Sequence, residues 1–182
     1  SYNYYWKGRP GWFLDPKRAG GGIVMNYGVH AMDRLHFLTD GKVESIAAHI
    51  ETEKENVYVD SSYHIMGTMS NGLTYFLCYT GYSNPASNVI EMRFTEGILR
   101  VILFSDGQNK IGVYFGNNEQ HFSQIPLLYP IEERVYRQMD ALLDCMEGKP
   151  DSNHVSIEYA AEMVHLIDIV KHSYATQRWI WI

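Results

Sequence analysis

The sequence predicts an α+β fold, with an open, largely antiparallel (mixed) β-sheet and helices packed on one face. Three observations carry that reading. Apolar residues recur at helical spacing between Ile23 and Leu38. From Lys42 to about Gln124 the apolar period changes to two, the period of half-covered strands. In the last third the helical period returns in two long stripes. Strands in one block and helices in another differ from the regular alternation that builds a parallel sheet.

Taken in order, Tyr2, Tyr4, Tyr5 and Trp6 suit a short strand. Gly8, Pro10, Gly11, Asp15 and Pro16 punctuate a loop, which Gly20-Gly21-Gly22 closes. Val24, Tyr27, Ala31, Leu35 and Leu38 then form the apolar stripe of a helix, with Gly41 as its stop. In the strand block, Ile90, Met92 and Phe94 face one way and Glu91, Arg93 and Thr95 the other. Val43 to Ile50, Val59 to Met69, Leu73 to Tyr79, Ile98 to Phe104 and Ile111 to Phe115 are strand-like too. Asn71-Gly72, Glu96-Gly97, Asp106-Gly107 and Gly116-Asn117-Asn118 supply the tight turns of a meander. Ile131, Val135, Met139, Leu142 and Met146 form a helical core stripe ended by Gly148-Lys149-Pro150. A last helix carries Ile157, Ala160, Val164 and Ile167, widened by Met163, Leu166, Val170 and Tyr174, with Ser156 as its N-cap. Trp179-Ile180-Trp181-Ile182 reads as a terminal strand.

The 182 residues are 46% hydrophobic, enough for one packed domain. A net charge of −6 argues against a nucleic-acid module, which wants a basic face. No apolar run reaches membrane-spanning length and no signal peptide opens the chain, so the sequence reads as cytoplasmic. Two cysteines make neither a disulfide framework nor a metal cluster. The start at Ser1 reads as the interior of a longer protein. The strands are rich in Tyr, Phe, Met and Ile, so the sheet face without helices is expected to meet a second copy or another domain rather than water.

The densest polar cluster lies on the first helix. Asn26 and His30 are four apart and share a face, and Asp33 comes three residues later. Such a pair suits acid–base chemistry, although from the residues alone the commoner role is a histidine that caps or packs. The triple glycine allows another segment to approach closely. No Gly-x-Gly-x-x-Gly occurs, so the chain is expected to hold no dinucleotide site of its own. His36 lies nearly opposite His30 on a helix, and His49, His64, His121, His154, His165 and His172 are scattered. His30 and Asp33 have ligand-like spacing without a third ligand, so no metal is expected. Cys78 and Cys145 read as small core residues, as do the methionines of the two last helices. Glu51 to Glu55, Glu132-Glu133-Arg134 and Lys17-Arg18 read as solvated surface.

Trp12-Phe13-Leu14-Asp15-Pro16, then Gly20-Gly21-Gly22, then Asn26-Tyr27-Gly28-Val29-His30-Ala31-Met32-Asp33, together resemble a family motif. It is the central motif of the glucose–fructose oxidoreductase / inositol dehydrogenase / MocA (Gfo/Idh/MocA) family. There a Trp, an Asp-Pro and two or three glycines precede Asp-x-Gly-x-His-x-x-Asp. The order of later elements is similar as well. The resemblance implies the C-terminal α+β domain of a two-domain oxidoreductase, whose N-terminal Rossmann domain binds NAD or NADP and is absent from this chain. It implies a sugar, cyclitol or related polyol substrate, and a homo-oligomer through the sheet face. It implies His30 as the acid/base or substrate-orienting group, with Asn26 and Trp12 on the substrate side and Asp33 structural. Where the family often has Asp, this chain has Asn26, which can hydrogen-bond but brings no charge to an imidazolium. No cofactor is expected on this chain alone, and the isolated chain is expected to be inactive. The same resemblance leaves open a non-catalytic dimerisation or ligand-binding module that keeps the fold.

Overall fold

The computed structural model describes residues 9–52, 59–81, 87–104, 110–115, 118–119, 123–124, 131–149 and 156–182. The elements are α1 (Pro16–Ala19), α2 (Val29–Thr39), β1 (Ser45–Glu51), β2 (Ser62–Thr68), β3 (Thr74–Thr80), β4 (Ser87–Phe94), β5 (Gly97–Phe104), β6 (Lys110–Phe115), β7 (Asn118–Glu119), β8 (Ser123–Gln124), α3 (Ile131–Met146), α4 (Ile157–Thr176) and β9 (Ile180–Trp181). They fall into two compact units, residues 1–83 with 156–182, and residues 84–155. The α+β class holds, and every strand pairing among the described residues is antiparallel.

In the first unit the strand order is β3-β2-β1-β9, so the terminal strand returns to pair with β1. Asn71-Gly72 makes the β2–β3 turn as expected, with Gly72 at φ +83. Register sorts the side chains into two faces. Ala48, Ile65 and Leu77 stand in one row and Ile50, Tyr63 and Tyr79 in the next. These rows join the core against α2 and α4, where Ile46, Tyr63, Ile65, Met163, Ile167 and Val170 are buried. The opposite face carries Ala47, Met66 and Phe76 in one row and His49, His64 and Cys78 in the next. Met66 is 42% and Phe76 65% exposed there. Cys78 thus sits on the exposed face rather than in the core, and Cys145 is only partly buried.

The helices of this unit refine their expected stripes. A π turn, Val24–Gly28, precedes α2, so the expected single helix begins with a wider winding. That extra width shifts the helical phase from Val29 onward. The buried positions are Val24, Gly28, Met32 and His36, while Leu38 faces out. The helix ends at Asp40, itself left-handed at φ 50, one residue before Gly41. On α4, Ser156 caps as expected by accepting the Tyr159 N–H at 3.1 Å. The buried face is Met163, Leu166, Ile167, Val170 and Ser173. Of the expected stripe Ile167 is buried while Ile157 and Val164 are exposed, because the face that meets β1 takes in Met163, Leu166 and Val170 from the residues expected to widen it.

In the second unit β4, β5, β6 and β7 pair in sequence, and β8 pairs with β6. Glu91 on β4 stands opposite Arg100 on β5 and pairs with both Arg100 and Arg93. The helix α3 has the expected bounds, and Gly148 comes after it at φ +69. Its stripe differs from expectation: Val135, Met139, Leu142 and Met146 are all exposed rather than core. The expected strand at Tyr2 to Trp6, the Asp106-Gly107 turn, Gly116-Asn117 and Pro150 lie outside the described residues.

Candidate functional site

The segment expected to be a plain loop is ordered by two short turns. Gly11–Leu14 is a 3₁₀ turn, and α1 is a single helical turn. Asp15 caps it by accepting the Lys17 N–H at 2.9 Å, and Pro16 occupies the first helical position, where a missing N–H costs nothing. Gly20 closes it in the left-handed region at φ +76, and its carbonyl accepts from Lys171 Nζ at 3.0 Å.

At Gly22 the chain passes hard against a distant segment. A Cβ there would stand 2.2 Å from the Asp60 carbonyl oxygen, so only glycine fits. Asp60, just before β2, takes the N–H groups of Gly22, Ile23 and Val24. Its carboxylate accepts from Gly22 at 2.8 Å and from Val24 at 2.6 Å, and its carbonyl accepts from Ile23 at 3.0 Å. These are the donors that a helix start leaves without internal partners.

The π turn beginning at Val24 carries the side chains of interest. Such turns gather at functional sites because they re-aim side chains within a helix. Tyr27 leaves the turn toward the sheet and stacks on Tyr79 at 4.9 Å, which stacks on Tyr63 at 5.8 Å. Gly28 lets α4 approach, since a Cβ there would meet Ile167 Cδ1 at 3.0 Å. With Tyr27 and Gly28 facing inward, Asn26 and His30 are left accessible on the other side.

Asn26 and His30 line an open cavity of about 350 Å³ with Trp12, Phe13, Met25 and Val29. Trp12 meets Phe13 edge to face at 5.7 Å and is 46% exposed. All three residues singled out as substrate-side in the sequence, Trp12, Asn26 and His30, therefore share one cavity. The lining combines an aromatic wall with one amide and one imidazole and has no permanently charged side chain. Such a surface can stack on C–H groups and exchange hydrogen bonds with hydroxyls.

The neighbouring polar residues have other employment. The Asp33 carboxylate accepts the Tyr159 hydroxyl at 2.8 Å, tying α2 to α4. Burial, then Asp33 itself, pushes the Tyr159 phenol up to about 12. His36 is buried, and its Nε2 accepts the Val43 N–H at 3.3 Å. Burial holds His36 below the ordinary histidine range, with Glu162 opposing. Among the described residues no three His, Cys, Asp or Glu side chains gather as metal ligands would.

Asp60 is the residue that reading the sequence missed. Its bonds span 36 to 38 residues, and no local pattern announces them. The one usable signal was the triple glycine, which asks for a segment pressed against it.

No curated protein matches the chain by sequence. Solved structures share its fold at low identity. Aldose-aldose oxidoreductase from Caulobacter crescentus, complexed with glycerol, superposes with a TM-score of 0.77 at 17% identity over 96% of this chain and 52% of that one. Levoglucosan dehydrogenase, in complex with NADH and levoglucosan, gives 0.74 at 18% identity over 94% of this chain and 53% of that one. A super-repressor mutant of Gal80p from Saccharomyces cerevisiae gives 0.77 at 16% identity over 99% and 54%. The chain spans about half the length of the solved structures it matches. Residues 1–100, which hold the glycine turn, the cavity and the whole of β1 to β3, match the model of the GFO/IDH/MocA C-terminal domain. The chain belongs to that family.

Proposed function

We propose that this chain is the substrate-binding and oligomerisation domain of an NAD(P)-dependent oxidoreductase acting on a neutral sugar, cyclitol or related polyol. The observation that carries this reading is the convergence of Trp12, Asn26 and His30 on one open cavity. Trp12 stacks on the C–H face of the substrate, and Asn26 hydrogen-bonds a hydroxyl beside the reacting carbon. His30 orients the reacting hydroxyl and takes or returns its proton at an imidazole nitrogen. NAD or NADP, held by the other half of the parent, supplies the hydride acceptor or donor. The chain has no glycine-rich fingerprint for that cofactor, so the isolated domain is inactive. Its homo-oligomeric contact uses the outward sheet face, where Met66 and Phe76 are exposed. No described helix is long and apolar enough to cross a membrane. A reaction that draws on the cellular NAD(P) pool suits the cytoplasm.

A second reading is a non-catalytic binding module, favoured by Asn26 in place of the family's Asp and by the likeness to Gal80p, a transcriptional regulator in the Kluyveromyces structure. Turnover in the full-length parent separates the two. On the first reading, His30→Ala lowers kcat on a polyol by on the order of 10²-fold or more. Unchanged turnover in that variant, or a parent that binds NAD(P) and turns over no polyol, selects the module.

A further inference from the structure

We propose that Asp60 is the positioning residue of the cavity, setting the winding that presents Asn26 and His30. This rests on reading the cavity as the substrate site. Asp60 is not among the residues lining it. It acts through the entry of the π turn, where three consecutive N–H groups, from Gly22, Ile23 and Val24, end on one residue. Two of those bonds go to opposite oxygens of one carboxylate, which fixes rotation about the helix axis as well as position along it. The carboxylate's charge also suits the positive end of the winding that runs into α2.

The core makes this setting narrow. Ile23 and Val24 are fully buried at 0% exposure, so the entry cannot rotate without unpacking them. Gly22 lies against the Asp60 backbone with no room for a methyl, so the contact cannot loosen by sliding. Asn26 comes two residues after the last clamped N–H, and its own N–H bonds back to the Gly22 carbonyl at 3.1 Å. His30 comes one turn later. A change of phase at Gly22 to Val24 is therefore carried to both side chains. Lys171 also holds Gly20 through its carbonyl, a second tie on the segment when the carboxylate is lost.

The test uses Asp60→Ala, Asp60→Asn and Asp60→Glu in the full-length parent, read by NMR without substrate. The signals are the His30 imidazole C–H, the Asn26 side-chain amide and the Gly22 and Val24 backbone amides. The Ala48 amide, bonded to Ser173 in the sheet–helix interface, is the reference. In Asp60→Ala the His30 and Asn26 signals move toward solvent-averaged positions. The Gly22 and Val24 amides exchange about tenfold faster or more, as loss of about 1.4 kcal/mol implies, and Ala48 is unchanged. Asp60→Asn, with one acceptor oxygen left, falls between, and Asp60→Glu, with both, restores most of the native signals. If the alanine variant does not fold, the Asn and Glu pair decides by the same ordering. Native His30 and Asn26 signals in Asp60→Asn, or shifts of equal size at Ala48, overturn the proposal. Because no substrate enters this measurement, it stands apart from the His30→Ala turnover assay. Moved signals with unaffected turnover reject the substrate-site reading on which the positioning role depends.

Discussion

Tyr75 donates its hydroxyl to the Ser45 carbonyl at 3.0 Å, and the absence of a side chain at Gly67 is what allows it. A Cβ at Gly67 would stand 1.8 Å from that carbonyl oxygen and 2.7 Å from the Tyr75 hydroxyl. Gly67 and Tyr75 are partners across β2 and β3, so the ring passes over the bare position and ties β3 to β1. The Tyr75 phenol is pushed well above the ordinary tyrosine range by burial.

Gly67→Ala is expected to cost about 3 kcal/mol or more, because backbone rather than a flexible side chain must give way. Tyr75→Phe, which only removes the hydroxyl, is expected to cost about 1 kcal/mol. Urea unfolding of both variants checks this. Equal midpoints for Gly67→Ala and the native chain would contradict the crossing.

Ser173 joins α4 to the sheet and to its own C-terminus. Its hydroxyl accepts the Ala48 N–H at 3.1 Å and donates to the Arg178 carbonyl at 2.7 Å, with the residue 1% exposed. Ser173→Ala removes one small group and leaves a donor and an acceptor without that partner. The expected loss is about 1–3 kcal/mol. Amide exchange at Ala48 should accelerate in proportion to that loss. Unaltered protection at Ala48 would show that water replaces the hydroxyl without cost.

His36 gives the fold a dependence on acid. Its neutral Nε2 accepts from Val43, and burial lowers its pKa from the ordinary 6.5, with Lys42 acting the same way and Glu162 and Asp33 opposing. The unfolded chain then binds the proton more readily than the folded one. Stability from this group is complete above pH 6.5 and declines as the pH falls from there toward the lower folded value. His36→Gln keeps a side-chain acceptor that does not titrate. Denaturation at about pH 7.5 and about pH 5.5, on either side of the ordinary histidine value, should show a smaller pH loss for His36→Gln than for the native chain. Parallel losses would assign the effect to other groups.

Much of this was legible in the sequence. The period of two located β1 to β6 because each strand covers one face, and the Ser156 cap and Gly148 marked helix limits by local chemistry. Trp12, Asn26 and His30 were found by a spaced motif, and they meet in space. What escaped was set by distant partners. Leu38 and Ile157 fit a helical period yet are exposed, since which side of a helix is buried depends on where the sheet lies. Asp15-Pro16 carried a helix-start signal that the surrounding turn residues obscured. The π turn has no residue signature, and the Asp60 bonds at its entry come from 36 to 38 residues away. His36 looked interchangeable with the other histidines until Val43 was placed beside it.

A peptide of residues 9–40 would contain every side chain that lines the cavity, but not the carboxylate that winds its turn. The pocket is therefore not self-contained: grafted onto another scaffold without the start of β2, the same motif would lack the acceptors for its Gly22, Ile23 and Val24 N–H groups. Within this fold, a length change between β1 and β2 would reach His30 without altering any residue near it.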